Sequence, residues 1–151
     1  METMKQIRTA TEQDIEKVKE FLGQAEVSAE GIESIIDHFI LLEDAEQKIL
    51  ATLGIERIEK DGLLRSLVIS LGVDQTNLLT LFKSAISLAK HKEISRLYLA
   101  TNKQASIQFF AMLGFGQVDT NELPDHIKES NHISQLLEKA DPMFMVSQIE
   151  K

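Results

Sequence analysis

The stretch Leu63-Leu64-Arg65-Ser66-Leu67-Val68-Ile69-Ser70-Leu71, followed by Leu78, Leu81, Phe82, Ala85, Ile86 and Ala89, decides the fold. The first part is rich in Leu and β-branched residues and reads as a buried central strand over 63–71. The second falls on one helical face and predicts the strongest helix of the chain, over 77–91. The alternation then repeats: Arg96–Ala100 reads as strand, and Ser106–Leu113 as a helix stopped by Gly114, the usual C-terminal glycine. Upstream, Lys60-Asp61-Gly62 is a hairpin signal that joins the central strand to Ile49–Ile58. An acidic turn at Asp44–Gln47 separates that strand from Phe39–Glu43. Thr11 with Glu12 and Asp14 opens a helix that Ile15, Val18, Phe21 and Leu22 carry to about Gln24. Ile32, Ile35 and Ile36 mark a shorter helix over 30–37, and Ile7–Ala10, Phe115–Val118 and Phe144–Ile149 complete the strands. The expected order is β-α-α-β-β-β-α-β-α-β-β, an α/β (α+β) fold in which helices cover the faces of a mixed sheet.

Composition narrows the class. The chain has 151 residues with no linker, low-complexity tract or internal repeat, so a single domain over 1–151 is expected. Lys and Arg number 16 against 24 Asp and Glu, a net charge of −8. That surface suits neither nucleic acid, whose phosphates need a basic partner, nor an anionic membrane. With no cysteine, disulfides, thiol catalysis and thiolate zinc sites are excluded. No apolar run reaches the ~18 residues of a membrane span, and Met1–Arg8 has no apolar signal core. The expected location is cytoplasmic.

Three segments carry a family resemblance. Leu64-Arg65-Ser66-Leu67-Val68-Ile69, Arg96-Leu97-Tyr98-Leu99-Ala100-Thr101, and Ser106–Gly114 followed by Phe115 resemble the fourth strand, the fifth strand and the closing helix of the GNAT acyltransferases. Glu30-Gly31-Ile32 and Glu122-Leu123-Pro124 are similar to the amino-acid N-acetyltransferases of that superfamily. The resemblance spans about residues 6–149 and implies a GNAT-like sheet whose fourth and fifth strands splay apart. The pantetheine arm of acetyl-CoA, the implied co-substrate, would lie in that gap and pair with backbone of Leu67, Val68 and Ile69 as an added strand. The same stretch is equally a core strand, and the two roles are compatible.

One window departs from the family. The turn into the long helix should carry glycines whose neighbouring N–H groups cradle a diphosphate at the positive end of the helix dipole. Here it reads Val73-Asp74-Gln75-Thr76-Asn77-Leu78, with no glycine and an added carboxylate. Charge-assisted hydrogen bonds contribute ~1.5–3 kcal/mol each, so losing two weakens binding by roughly two to four decades. Asp74 can instead cap the helix, taking the N–H groups a phosphate would have used. The window Asp74, Gln75, Thr76 and Asn77 is therefore both the candidate cofactor corner and the reason to expect a degenerate one. Phe110 occupies the position where many family members have a proton-donating Tyr, and a phenyl ring transfers no proton. It remains a candidate contact for the arm, and the catalytic acid and base stay unassigned.

On the acceptor side the candidates are Arg65, His38 and Glu30. A guanidinium in mid-strand needs a partner: a substrate carboxylate held bidentately, or Glu56 on the neighbouring strand. His38 could take a proton from an ammonium group or simply be a surface histidine. Glu26 and Glu30 read equally as solvated helix-end charges. Tyr98 reads as core. His91, His126 and His132 share no metal-ligand spacing, so no metal is expected. Asn121–Asp141 is polar and weakly periodic, a surface loop or a lid over the acceptor side. Two functions follow. The first is an N-acetyltransferase acting on a small amine or an amino acid, with weakened acetyl-CoA binding, alone or as a homodimer. The second is a non-catalytic GNAT-shaped binding module.

Overall fold

A computed structural model describes residues 5–27, 29, 31–70, 72–101, 104–130, 133–134, 137 and 142–149. The strands are β1 (Gln6–Thr9), β2 (Phe39–Glu43), β3 (Ile49–Ile58), β4 (Asp61–Ile69), β5 (Arg96–Thr101), β6 (Gly116–Val118) and β7 (Met143–Gln148). The helices are α1 (Ile15–Gln24), α2 (Ile32–Ile35), α3 (Gln75–His91), α4 (Gln104–Met112) and α5 (Asp125–Lys128). The strands make one mixed sheet in the order β1-β2-β3-β4-β5-β7-β6, with β4 and β5 parallel and the outer pairs antiparallel. Packing divides the chain into two compact units, Met1–Glu56 with Arg65–Leu88, and Arg57–Leu64 with Ala89–Lys151.

The first unit is built on the antiparallel ladder β1-β2-β3. Phe39 pairs with Gly54 there, and the register slips between Leu42 and Glu43. Val18 and Leu22 of α1, Ile32 of α2 and Phe39, Leu41 and Ile49 of the strands bury together, with Val68 of β4 packed against them. Burying each such side chain contributes roughly 1.5–3 kcal/mol. An ion cluster fixes the start of α1 to this sheet. Arg8 reaches Asp14 at 2.7 Å and Glu43 at 2.8 Å, and both carboxylates are buried. The Arg8 hydrogen bond is the main cause holding the Asp14 carboxyl far below the ordinary carboxylate range, and Asp14 with Glu43 likewise raises the Arg8 guanidinium. The acidic turn after β2 forms as expected. Asp44 Oδ1 accepts the amide hydrogens of Glu46 and Lys48, both at 2.9 Å.

The second unit is built on β5-β7-β6. Leu63 and Tyr98 bury with Leu123, Ile127, Ile133 and Phe144. In it the β4–β5 ladder covers Asp61–Leu63 against Arg96–Tyr98. Gly114 ends α4 at φ +100, so that the Phe115 N–H reaches back to the Phe110 carbonyl at 3.1 Å.

Several bounds shift by one or two residues from the sequence reading, β4, α3 and α4 among them, and three regions differ in kind. The turn between β3 and β4 is Glu59-Lys60, not Lys60-Asp61-Gly62, with Asp61 already in the strand and Glu59 taking a positive φ of 58°. The second short helix is α2 followed by a single 3-10 turn, Ile36–His38. The polar stretch after β6 holds a 3-10 turn, Thr120–Glu122, and then α5, pinned by Leu123 and Ile127.

Candidate functional site

The second half of β4 changes character at Ser66. That residue sits at φ +58 in mid-strand, a conformation L side chains rarely adopt. The buried Thr52 hydroxyl of β3 donates to the Ser66 carbonyl at 2.9 Å and holds the turn of the chain there. Beyond it Val68 packs inward, whereas Leu67 and Ile69 remain 38% and 39% exposed. Two exposed aliphatics on a strand are an apolar surface that an amide-bearing, largely aliphatic arm would cover.

Arg65 precedes this irregularity. Its Nη1 donates to Glu56 Oε1 on β3 at 2.7 Å, and its Nε approaches Ser66 Oγ at 3.4 Å. The two side chains are only 16% and 26% exposed. Among the described residues, Arg65 Nη2 and Glu56 Oε2 have no protein partner.

The corner into α3 is closed by its own side chain. Asp74 Oδ1 accepts the Asn77 amide hydrogen at 2.8 Å, and the Asp74 carbonyl accepts that of Leu78 at 3.1 Å. The positive φ of this corner falls on Gly72, at +92, immediately before the window. Asn77 in turn accepts a hydrogen bond from Lys5 Nζ at 3.2 Å. One of the free amide groups that a diphosphate would need is thus engaged by a carboxylate. The β4 stretch thus presents exposed aliphatic surface, and the corner into α3 presents a carboxylate bonded to one of its own amides.

The other candidates stand apart. His38 ends the 3-10 turn before β2 and bonds Asp37 at 2.9 Å; no hydrogen bond or ion pair links it to Arg65 among the described residues. Glu30 lies outside the described residues. Phe110 is buried in the second unit, its ring edge-on to Phe109 and Phe115. Among the described residues no cluster of His, Asp and Glu could hold a metal ion, and no helix is long and apolar enough to cross a membrane.

The second unit contains a polar cluster that sequence reasoning missed. Asp61, 1% exposed, accepts from Arg96 Nε and Nη2, both at 3.1 Å, and lies 2.7 Å from His126 Nε2. Glu59 lies 3.7 Å from the other ring nitrogen, and Arg96 stacks over Tyr98 at 5.8 Å. The Asp61 hydrogen bond raises the Arg96 guanidinium, and burial pushes the Tyr98 phenol up. Asp-Gly is a turn signature, and nothing local reveals that this Asp meets a histidine 65 positions away.

No protein-family model matches the chain. Over 131 residues it is 38% identical to the uncharacterized protein YwlB of Bacillus subtilis (strain 168), covering 86% of this chain and 88% of that one. Among solved structures it resembles N-acetylglutamate synthase from Neisseria gonorrhoeae, complexed with coenzyme A and N-acetyl-glutamate. That match has a TM-score of 0.77 and 22% identity and covers all of this chain, which spans 36% of the synthase. An acetyltransferase of the GNAT family from Staphylococcus aureus Mu50 matches with a TM-score of 0.73 and 20% identity, over 97% of this chain and 100% of that one. The chain has the GNAT acetyltransferase fold and belongs to the family of YwlB.

Proposed function

We propose that this protein is an N-acetyltransferase that moves an acetyl group from acetyl-CoA to a small amine of the amino-acid kind, with a weakened hold on its co-substrate. The observation that carries the reading is Arg65, a half-buried guanidinium in mid-strand whose Nη2 has no protein partner among the described residues. Its Nη1 is engaged by Glu56, the alternative partner expected from the sequence, and the spare Nη2 would give a substrate carboxylate a single contact in place of a bidentate one. The fold supports the reading, as does the coenzyme A held by a structural neighbour. Leu67, Val68 and Ile69 would offer backbone groups and exposed aliphatic surface to the donor's arm. In the reaction an amine nitrogen attacks a thioester carbonyl, a C–N bond forms, the C–S bond breaks and the nitrogen's proton leaves. Proximity and backbone polarity suffice for much of that acceleration, so Phe110 in place of a Tyr slows such an enzyme without forbidding it. The protein acts in this reading as one cytoplasmic domain.

A second reading has one observation in its favour. The Asp74 cap occupies the helix corner with a negative charge, as in a module that no longer needs the donor. The two separate in one experiment. Acetyl-CoA at millimolar concentration is expected to raise the melting temperature and to release thiol in the presence of mixed amino acids. Neither effect, under conditions where the protein is folded, selects the binding module.

A further inference from the structure

We infer that Glu56 and Arg65 together read the zwitterionic head of a free α-amino acid, which makes Glu56 the residue that selects an amino acid over a simple amine or a simple acid. The inference rests on the reading of Arg65 as the acceptor-side carboxylate ligand and adds to it a second residue and a substrate class.

The pair differs from an ordinary surface ion pair. Long side chains at a surface saturate each other or water and contribute little. Here both side chains are mostly buried, they meet through Nη1 and Oε1 alone at 2.7 Å, and the strand irregularity at Ser66 follows directly. Among the described residues Arg65 Nη2 and Glu56 Oε2 have no protein partner, a donor and an acceptor on two charged groups in direct contact. No buried side-chain polar atom of the described residues lacks a partner, so both spare atoms remain open to a ligand or to water. The ligand that satisfies both carries an anion and a cation on neighbouring atoms, in the reverse order. A free α-amino acid does so: its carboxylate faces the guanidinium and its ammonium faces the carboxylate. Selectivity comes from repulsion as much as attraction. An acid without the ammonium group brings its charge against Glu56, and an amine without the carboxylate brings its charge against Arg65.

The arrangement also bears on the chemistry. An ammonium held at Glu56 must give up its proton before its nitrogen attacks a thioester, so Glu56 would position the amine and the proton would pass to water. Glu56 is accordingly a positioning and selectivity residue.

The test uses the intact protein, without donor for binding and with acetyl-CoA added for transfer. Binding of L-alanine and L-glutamate is measured by calorimetry and thermal shift, beside ethylamine, propionate and glutarate. Only the amino acids are expected to bind measurably. Glu56→Gln keeps an oxygen for Arg65 but removes the charge, and is expected to weaken amino-acid binding roughly tenfold or more while leaving propionate unchanged or improved. Equal binding of amine, acid and amino acid to the unaltered protein overturns the inference, as does wild-type affinity in a folded Glu56→Gln variant. Acetyl transfer to ethylamine as fast as to alanine overturns it and leaves the proposed activity standing. Amino-acid binding with no acetyl transfer does the reverse.

Discussion

The Asp74 carboxylate and the Asn77 amide are 2.8 Å apart, so the first turn of α3 is capped from within at the corner where a bound diphosphate would compete for the same hydrogen. Removing the carboxylate should separate the two roles of this corner. Asp74→Ala loses the cap, at a cost of about 1 kcal/mol in stability. It also frees the amide and deletes a like charge, and should tighten acetyl-CoA binding roughly tenfold, since a charge-assisted hydrogen bond contributes ~1.5–3 kcal/mol. Calorimetric titration of variant and wild type checks both. An unchanged or weaker affinity in a variant that has lost the expected stability would place the diphosphate elsewhere.

A second prediction concerns the β2–β3 ladder. A Cβ built on Gly54 would sit 2.6 Å from Cε1 of Phe39, its register partner, and that ring is only 1% exposed. The ring has no room to retreat, so Gly54→Ala should destabilise the protein by about 1–3 kcal/mol through overpacking. Phe39→Leu in the same background should recover part of that loss. The coupling is read from a double-mutant cycle of denaturant unfolding. Additive effects would show that ring and glycine do not depend on each other.

Much of this fold is legible from one-dimensional pattern, because its elements have a strong period. The α3 stripe of Leu81, Phe82, Ala85 and Ala89 is buried, as its spacing requires, and β2 and β3 fall at their expected bounds. Gly114 stops α4 because only glycine takes φ +100 without strain. The positive φ of Ser66 left no such mark, because the Thr52 hydroxyl on its carbonyl, a tertiary contact, holds it. The site divides likewise. Arg65 stands out as a charge in an apolar strand, and Asp74 as a helix-capping residue in a glycine-free window. The Asp61–Arg96–His126 cluster is illegible, since it joins a turn signature, a strand end and a polar stretch that meet only in three dimensions.

That cluster supports a third prediction. Asp61 is a fully buried carboxylate whose charge is balanced by Arg96 and hydrogen-bonded by His126. Asp61→Ala removes the hydrogen bonds from Arg96 and His126 but leaves a guanidinium that is 40% exposed and can turn to water, and should cost about 1–3 kcal/mol. His126→Ala removes a single hydrogen bond and should cost about 1 kcal/mol. In the Asp61→Ala background the His126 substitution should have almost no further effect. Chemical unfolding of the three variants measures this. Full additivity would show that His126 does not act through Asp61.

The last prediction is a pH dependence with a fixed sign. Hydrogen bonding to Arg8 holds the folded-state carboxyl of Asp14 well below its ordinary value, whereas the unfolded chain returns it to about 3.9. A depressed folded pKa means that the unfolded state binds the proton more readily. The stabilisation is therefore complete above the unfolded value and declines as pH falls below about 4. Arg8 does not oppose this trend, because its own shift is upward and it stays charged throughout. Asp14→Asn should thus lower the melting temperature most at neutral pH, and the gap to wild type should narrow between about pH 4 and pH 2. Arg8→Ala should be the more damaging change, about 3–5 kcal/mol, because it strips the counter-charge from Asp14 and Glu43 together, leaving Lys17 at 3.8 Å from Glu43 as a remnant. Calorimetric scans of the three proteins across that range decide the matter. A gap between wild type and Asp14→Asn that keeps its neutral-pH size down to pH 2 would mean that the Arg8–Asp14 bond does not set the carboxyl's titration.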